Sequence, residues 1–394
     1  MSIFTYKTEG NNLLFNFSGR MDSVNAPVTQ NKIDEILEKN PGKSIIADLD
    51  MLEYIASAGL RVFLHLRKKL KNLKIINVSL PVYEVFQVTG FTEILDVSKA
   101  YRRISVDDCE IIGKGANGII YRLDPEIIVK AYRYPDALED IKREREMAHK
   151  AFVMGVPTAI SFDIVRINNG YGAVYELLDA CSIAQILQKN PEKIDECVKL
   201  STDLLKTIHS TEISPDDEIP DMKKGVLEWV NFLSDYLPSD LCLRLDALVR
   251  GIPDDNHMLH ADYHIKNVMI RDGEAFLIDM DTLAHGHPVF ELAFMYNAYR
   301  GFSELSEEEG ASFLNLPIEL ASTFWKKQLS TYLGTDNPET LKDVEDKARL
   351  VGYIRLMRYA IRRLGLDTEE GRKQAKYVEN RILELIARLD TLVF

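Results

Sequence analysis

The chain has only four cysteines in 394 residues, and Cys109, Cys181, Cys197 and Cys242 are too widely spaced to form a CxxC pair. That scarcity argues against a disulfide framework or a thiolate zinc site and leaves reduced thiols as the expectation. No apolar run approaches the length that crosses a bilayer. The first 30 residues also lack a basic start followed by an apolar stretch, so no secretory leader is expected. A cytoplasmic location with no membrane partner follows as an expectation. Positive charge is not in excess: the net charge is −13, which disfavours a nucleic-acid partner. There is no internal repeat, no low-complexity segment and no Gly- or Pro-rich linker.

What is present fits a packed, multidomain protein. Hydrophobic residues make up 46% of the chain, and its length exceeds that of one typical core. The charge is uneven. Residues 1–100 carry 12 basic and 11 acidic side chains, against 36 and 50 in the remainder. An acidic catalytic part would attract a cationic substrate; the other reading of the same balance is a well-solvated surface.

Residues 1–100 have the pattern of a small α/β unit. LLFNFSG (13–19) alternates like a strand, residues 28–39 are helical in pattern, and SIIADLD (44–50) is a short buried strand. Ser57 precedes AGLRVFLHLRKKLKNL, in which Leu60, Phe63, Leu64 and Leu70 mark one helical face. IINVSL forms the next strand, and PVYEVFQVTG is a short helix with Pro at its start and Gly at its end.

The segments SGRMDS (18–23), DLDMLEYIASAGLRVFL (48–64) and FQVTGFTEILDV (86–97) resemble the STAS domain, the fold of the anti-sigma-factor antagonists. The resemblance covers about residues 3–98. It implies a protein partner, and it places a regulatory phosphorylation site at Ser57, at the start of the second helix. Ala56 stands where the family has an acidic residue or Ser. A phosphate at a helix N-terminus meets free N–H groups and a favourable dipole. The residues alone equally allow Ser57 to be a helix N-cap, worth about 1 kcal/mol. Asp22 matches a recurring acidic position and is also read as a turn residue. The connection DVSKAYRRISVDDCE (96–110) predicts strand and turn rather than a free tether.

Residues 109–133 read as three strands with two tight connections. Gly113, Gly115 and Gly118 form GxGxxG between two strands, where missing Cβ atoms let the backbone approach phosphates. This setting favours a kinase-type flap over a dinucleotide fingerprint, which needs a strand followed by a helix. Lys130 lies on the strand after the hairpin, between alternating apolar neighbours, and suits pairing with nucleotide phosphates. In the helix at 136–155, Glu144 and Glu146 compete as its partner. Glu144 shares a face with Met147, Ala148 and Ala151, whereas Glu146 shares one with His149, Lys150 and Val153. Glu144 is the expected inward residue. GYGAVYELLDACSIAQIL (170–187) is a strand breaking into a linker, with Glu176 to Leu178 placed to meet an adenine through the backbone.

HADYHIKN (260–267) and LIDMD (277–281) complete the set. With Lys130 and Glu144, they make residues 108–392 resemble the aminoglycoside phosphotransferase and choline kinase family of the protein-kinase-like fold. The resemblance implies Asp262 as the catalytic residue, Asn267 and Asp279 as ligands of Mg²⁺, and His260 as structural. It implies ATP as the phosphoryl donor and a small-molecule alcohol as the acceptor. His264, and the short spacing from Asp279 to Glu291, separate the chain from protein kinases. Ala261 replaces the family's usual Gly, and Glu291 its usual Asp. Asp281 is read as a supporting or turn residue. Glu304, Glu307 and Glu308 are read as cation ligands or as a solvated helix start.

The expected architecture is α/β plus α+β. It comprises a STAS-like domain (1–100), a kinase-like N-lobe (101–180) and a largely helical C-lobe (181–394). The expected activity is ATP- and Mg²⁺-dependent transfer of the γ-phosphoryl group to a small-molecule hydroxyl. The rival is a regulatory fusion that senses nucleotide or phosphorylates a protein in a partner-switching pathway.

Overall fold

The computed structural model describes residues 4–70, 72–115 and 118–394. Two positions between Gly115 and Gly118, and Lys71 in the segment read as helix, lie outside the described residues. The chain separates into two compact units, residues 1–105 with 164–168, and residues 106–163 with 169–394.

The first unit is built on a five-stranded sheet in the order β1-β2-β3-β4-β5. Its elements are β1 (Phe4–Glu9), β2 (Asn12–Met21), α1 (Asn25–Lys39), β3 (Ser44–Ile55), α2 (Ser57–Lys69), β4 (Leu73–Val78), α3 (Leu80–Val88), α4 (Phe91–Ile94) and β5 (Asp96–Lys99). β1 pairs antiparallel with β2, and β2, β3, β4 and β5 run parallel. Period-two burial drives this: Leu13, Phe15 and Phe17 on β2, with Ile45, Ala47 and Leu49 on β3, point into the core. Val62, Phe63 and Leu66 cover it from α2, and the Phe17 and Phe63 rings lie 5.3 Å apart. Each buried Phe contributes about 2 kcal/mol of burial. A Cβ on Gly59 would come within 2.9 Å of the Met21 carbonyl, so only glycine lets α2 settle this close. A further strand, β6 (Arg102–Ile104), lies parallel to residues 165–167.

Parallel strands put the starts of their helices at one end of the sheet. Ser57 sits there, exposed, as the first residue of α2. It is not the N-cap: Ala56 occupies that position, and no side chain caps the helix. Asp22 has a structural task, its Oδ1 accepting the N–H groups of Val24 (3.0 Å) and Asn25 (3.1 Å).

The second unit begins with three antiparallel strands, β7 (Glu110–Lys114), β8 (Gly118–Asp124) and β9 (Ile127–Tyr132). α5 (Leu138–Val153) follows. After β10 (Asp163–Ile167), β11 (Gly170–Glu176) pairs antiparallel with β9. The helical part then takes over. It contains β12 (Cys181–Ser182), α6 (Ile183–Lys189), α7 (Ile194–His209), α8 (Met222–Leu233) and α9 (Ser239–Arg250). Short strands β13 (Met258–Leu259), β14 (Val268–Arg271), β15 (Glu274–Leu277) and β16 (Ala284–His285) frame the loops that follow. The chain ends with α10 (Val289–Tyr296), α11 (Phe302–Leu305), α12 (Glu307–Leu314), α13 (Ile318–Leu333), α14 (Pro338–Tyr359) and α15 (Glu369–Ile386). Every residue of α10 is buried, as befits a helix that is mostly apolar all round. α10 packs against α14 and so fixes the loops on either side of it.

Among the described residues no helix is long and apolar enough to cross a membrane. All four cysteines are free.

Candidate active site

Alternation along β9 buries Val129 and turns Lys130 to the opposite face, where its amine meets two carboxylates. Lys130 Nζ lies 3.1 Å from Glu144 Oε1 and 2.5 Å from Asp279 Oδ1. Glu144 is 6% exposed on the inward face of α5, while Glu146 pairs with Lys150 at the surface. Burial opposes a charge on Lys130, but Asp279 and Glu144 outweigh it and hold the amine above its ordinary pKa. Glu144 also accepts hydrogen bonds from the hydroxyls of Tyr132 and Tyr175, the latter at 3.1 Å. Burial and the Glu144 charge hold both phenols protonated well beyond their usual range.

The three glycines of the flap differ in need. A Cβ on Gly118 would stand 2.3 Å from the Ala131 carbonyl oxygen, whereas one on Gly115 would meet nothing closer than 3.9 Å. Gly115 N–H donates to the Gly118 carbonyl at 2.9 Å, closing the turn. In the segment after β11, Glu176 is exposed, Leu177 N–H donates to the Glu126 carbonyl (2.6 Å), and the Leu178 carbonyl accepts from Ala180 (2.8 Å). The first of these bonds anchors the linker to the β8–β9 turn, and the second closes a tight turn within the linker.

The loop after β13 is clamped by a buried carboxylate. Glu291, at the start of α10 and fully buried, accepts the N–H groups of His260 (2.6 Å), Ala261 (3.1 Å) and Tyr263 (3.3 Å). Burial would raise its pKa, but His209 and these donors hold it below the usual range. The longer Glu therefore serves where an Asp was expected. Ala261 has φ +62°, a left-handed conformation that explains why glycine suits this position. His260 ties the loops together: Nε2 lies 3.1 Å from the Ile278 carbonyl, and Nδ1 accepts Asp262 N–H at 3.2 Å.

Asp262 projects from this loop with a partly exposed side chain. Its Oδ2 lies 3.5 Å from His264 Nε2 and its Oδ1 lies 3.4 Å from Arg355 Nη2. Burial acts to raise its pKa; the hydrogen bond from His264 and the charges of His264 and Arg355 prevail and keep it ionised. Asn267 Nδ2 donates to the Asp262 carbonyl at 3.1 Å, and the Asn267 carbonyl accepts Ile278 N–H at 3.0 Å. The β14–β15 hairpin thus holds Asn267 beside the segment that bears Asp279. Asp279 adopts φ +58°, which an aspartate tolerates. The donor set suits a hard cation: Asp279 offers carboxylate oxygens, and Asn267, with its NH₂ engaged, offers Oδ1. Asp281, two residues after Asp279, is near enough to feel the charges of Glu144, Asp279 and Lys130. Burial, with Glu144 and Asp279 nearby, pushes its pKa up to about 6.

Lys130, Glu144 and Asp279 are in direct contact, and Asp262 and Asn267 share one loop. Gly113 and Gly115 border the flap, and Glu176 and Leu178 border the linker. Sequence reading missed Tyr132, Tyr175 and Arg355. Tyr132 stands two residues after Lys130 on one strand face, a signal that was legible; Arg355 arrives from α14 with none. Glu304 corrects an expectation, since it is neither a solvated helix start nor an open cation ligand. It accepts hydrogen bonds from the Tyr296, Tyr353 (2.5 Å) and Tyr377 (3.4 Å) hydroxyls. Glu307 and Glu308 are exposed in the first turn of α12.

The sequence profile of the phosphotransferase enzyme family matches residues 108–319, more than half the chain, and the protein belongs to that family. The STAS domain profile matches residues 4–104, so an N-terminal STAS domain precedes the kinase-like part. The anti-sigma-B factor antagonist of Bacillus subtilis (strain 168) is 31% identical over 96 residues, covering 23% of this chain and 86% of that protein. The putative anti-sigma factor antagonist BtrV of Bordetella bronchiseptica is 31% identical over 86 residues, covering 21% and 73%. Among solved structures, a thermostable mutant of aminoglycoside phosphotransferase APH(4)-Ia gives a TM-score of 0.48 at 11% identity, covering 71% of this chain and 94% of that one. A choline/ethanolamine kinase family protein from Mesorhizobium loti gives 0.47 at 13% identity, covering 71% and 87%.

Proposed function

We propose that the protein is an ATP- and Mg²⁺-dependent phosphotransferase that moves the γ-phosphoryl group to the hydroxyl of a small molecule. The observation that carries this reading is Lys130, held between Glu144 and Asp279. Lys130 would grip the α and β phosphates, and Glu144 would keep its amine in place. The backbone at Gly113, Gly115 and Gly118 would cover the phosphates, and that of Glu176 to Leu178 would meet the adenine. Asp279 and Asn267 would hold Mg²⁺, which neutralises phosphate charge when bound. Asp262 would orient the acceptor hydroxyl and take its proton late, since an acid held ionised at a low pKa is a weak base. We assign residues 1–100 to the STAS domain, 101–180 to the N-lobe and 181–394 to the C-lobe. We infer a cytoplasmic location, a reading supported by the use of ATP and by the four free thiols.

The test is ADP release from Mg-ATP across a panel of alcohols. The reading requires Asp262→Asn to lower kcat by about 10³-fold or more. Full activity in both Asp262→Asn and Asp279→Asn would refute it.

A second reading rests on Ser57, exposed at the first position of α2, where a phosphate meets the positive end of the helix. In that reading the STAS domain binds a protein partner and Ser57 is phosphorylated. Mass spectrometry after incubation with ATP and cell lysate tests it, and an unmodified Ser57 counts against it.

A further inference from the structure

Beside Asp262 the site turns basic, although the chain as a whole is acidic. Arg355 Nη1 donates to the Ala261 carbonyl at 3.3 Å, and its guanidinium lies 4.4 Å from the centre of the Phe294 ring. Arg358, one turn further along α14, lies 5.6 Å from the centre of the Trp229 ring. Phe294 and Trp229 are themselves 5.8 Å apart. Two guanidinium groups therefore ride on two adjoining aromatic rings, and the first of them, Arg355, meets the carboxylate that would receive the acceptor.

Arg362, in the π-helical segment Ala360–Leu364 that continues α14, is exposed and near enough for its charge to act on Arg358. Arg355 has Asp262, but Arg358 and Arg362 have no carboxylate partner among the described residues. Burial, then the charges of Arg362 and Arg355, lower the pKa of Arg358, so like charges crowd here and only that of Arg355 is offset by a carboxylate. Such crowding is unfavourable unless an anion completes it. Arginine forks match the paired oxygens of phosphate and carboxylate.

We propose that Arg358 and Arg362, with Arg355 at their inner end, bind an oxyanion carried by the acceptor. The substrate class is then an alcohol bearing a phosphate or carboxylate group rather than a polycation. This rests on the phosphotransferase reading and narrows it. Arg358 and Arg362 are binding residues and Arg355 links them to Asp262.

Two experiments on the full chain test it. The first measures ADP release with matched alcohols: glycerol 3-phosphate and glucose 6-phosphate, glycerate and gluconate, glycerol and glucose, glucosamine and kanamycin. The expected result is that the best acceptor is anionic, phosphate and carboxylate arms telling which group is read. Arg358→Gln and Arg362→Gln should each raise its KM about tenfold with kcat little changed, and Arg358→Lys should restore part of the loss. A best acceptor that is neutral or cationic overturns the proposal, as does an unchanged KM in both variants.

The second experiment needs no acceptor. Inorganic phosphate is titrated against the protein saturated with Mg-AMP-PNP, and against the nucleotide-free protein. Tryptophan fluorescence reports on it, since Trp229 lies beneath Arg358 and Trp325 is fully buried. A saturable change should appear in both titrations, survive Lys130→Met and vanish in the Arg358→Gln/Arg362→Gln double variant. No change, or one that persists in the double variant, overturns the anion site. Failure to bind Mg-AMP-PNP would instead sink the phosphotransferase reading, and the nucleotide-free titration would still decide the anion site.

Discussion

Lys130 Nζ and Asp279 Oδ1 are 2.5 Å apart although 149 positions separate them in the chain. The contact joins the sheet-bearing part of the second unit to the loop after β15. It holds in one place the cation that would grip phosphates and the anion that would hold Mg²⁺. Glu144 meets the same amine at 3.1 Å, so Lys130 is shared between two carboxylates rather than paired with Asp279 alone.

Glu144 is the more consequential partner, because three donors converge on one buried carboxylate. Glu144→Gln should fold, keep part of the hydrogen bonding and raise KM for ATP about tenfold or more. Glu144→Leu leaves the Lys130 ammonium with Asp279 alone and strands two hydroxyls, and should lower unfolding stability by about 3 kcal/mol. Steady-state kinetics and urea denaturation read the two effects separately.

Glu291 acts at a distance from the reacting atoms. Its carboxylate fixes the N–H groups of His260, Ala261 and Tyr263. Glu291→Ala should cost about 3 kcal/mol by leaving those buried donors unpaired. Glu291→Asp retains the charge but shortens the reach; it should lower kcat more than it lowers stability. Wild-type kcat in Glu291→Asp would remove Glu291 as a determinant of loop position.

Much of this was legible in the sequence for definite reasons. Lys130 and Glu144 obey strand and helix periodicity, so their inward faces followed from the apolar residues around them. Glu146, two residues from Glu144, pointed outward for the same reason. Ser57 stands at the start of the second helix as expected, and only its alternative reading as the N-cap fails, by one position, because local sequence fixes helix boundaries weakly. Glu304 was misjudged because its three tyrosine partners come from α10, α14 and α15, and no local pattern announces them. Arg355 was invisible for the same reason. The overall acidic charge pointed to a cationic substrate as one option, yet net charge does not report the charge beside Asp262.

Asp281 provides a pH test. Its folded pKa is raised to about 6 from an ordinary 3.8. Its contribution to stability is therefore most favourable below 3.8 and is lost as pH rises through about 6. Asp281→Asn should raise the Tm of the ligand-free protein at pH 7.5 by roughly 2 °C, and the gain should fade by about pH 4. A gain independent of pH would mean that Asp281 carries no unfavourable charge.

The most direct measurement is nucleotide binding by calorimetry, with and without Mg²⁺, in the wild type and in Lys130→Met and Asp279→Asn. The account predicts that the wild type binds ATP and that Mg²⁺ strengthens the binding. It predicts that Lys130→Met weakens binding about tenfold or more, and that Asp279→Asn loses most of the Mg²⁺ effect. Equal binding by all three proteins, indifferent to Mg²⁺, would contradict it.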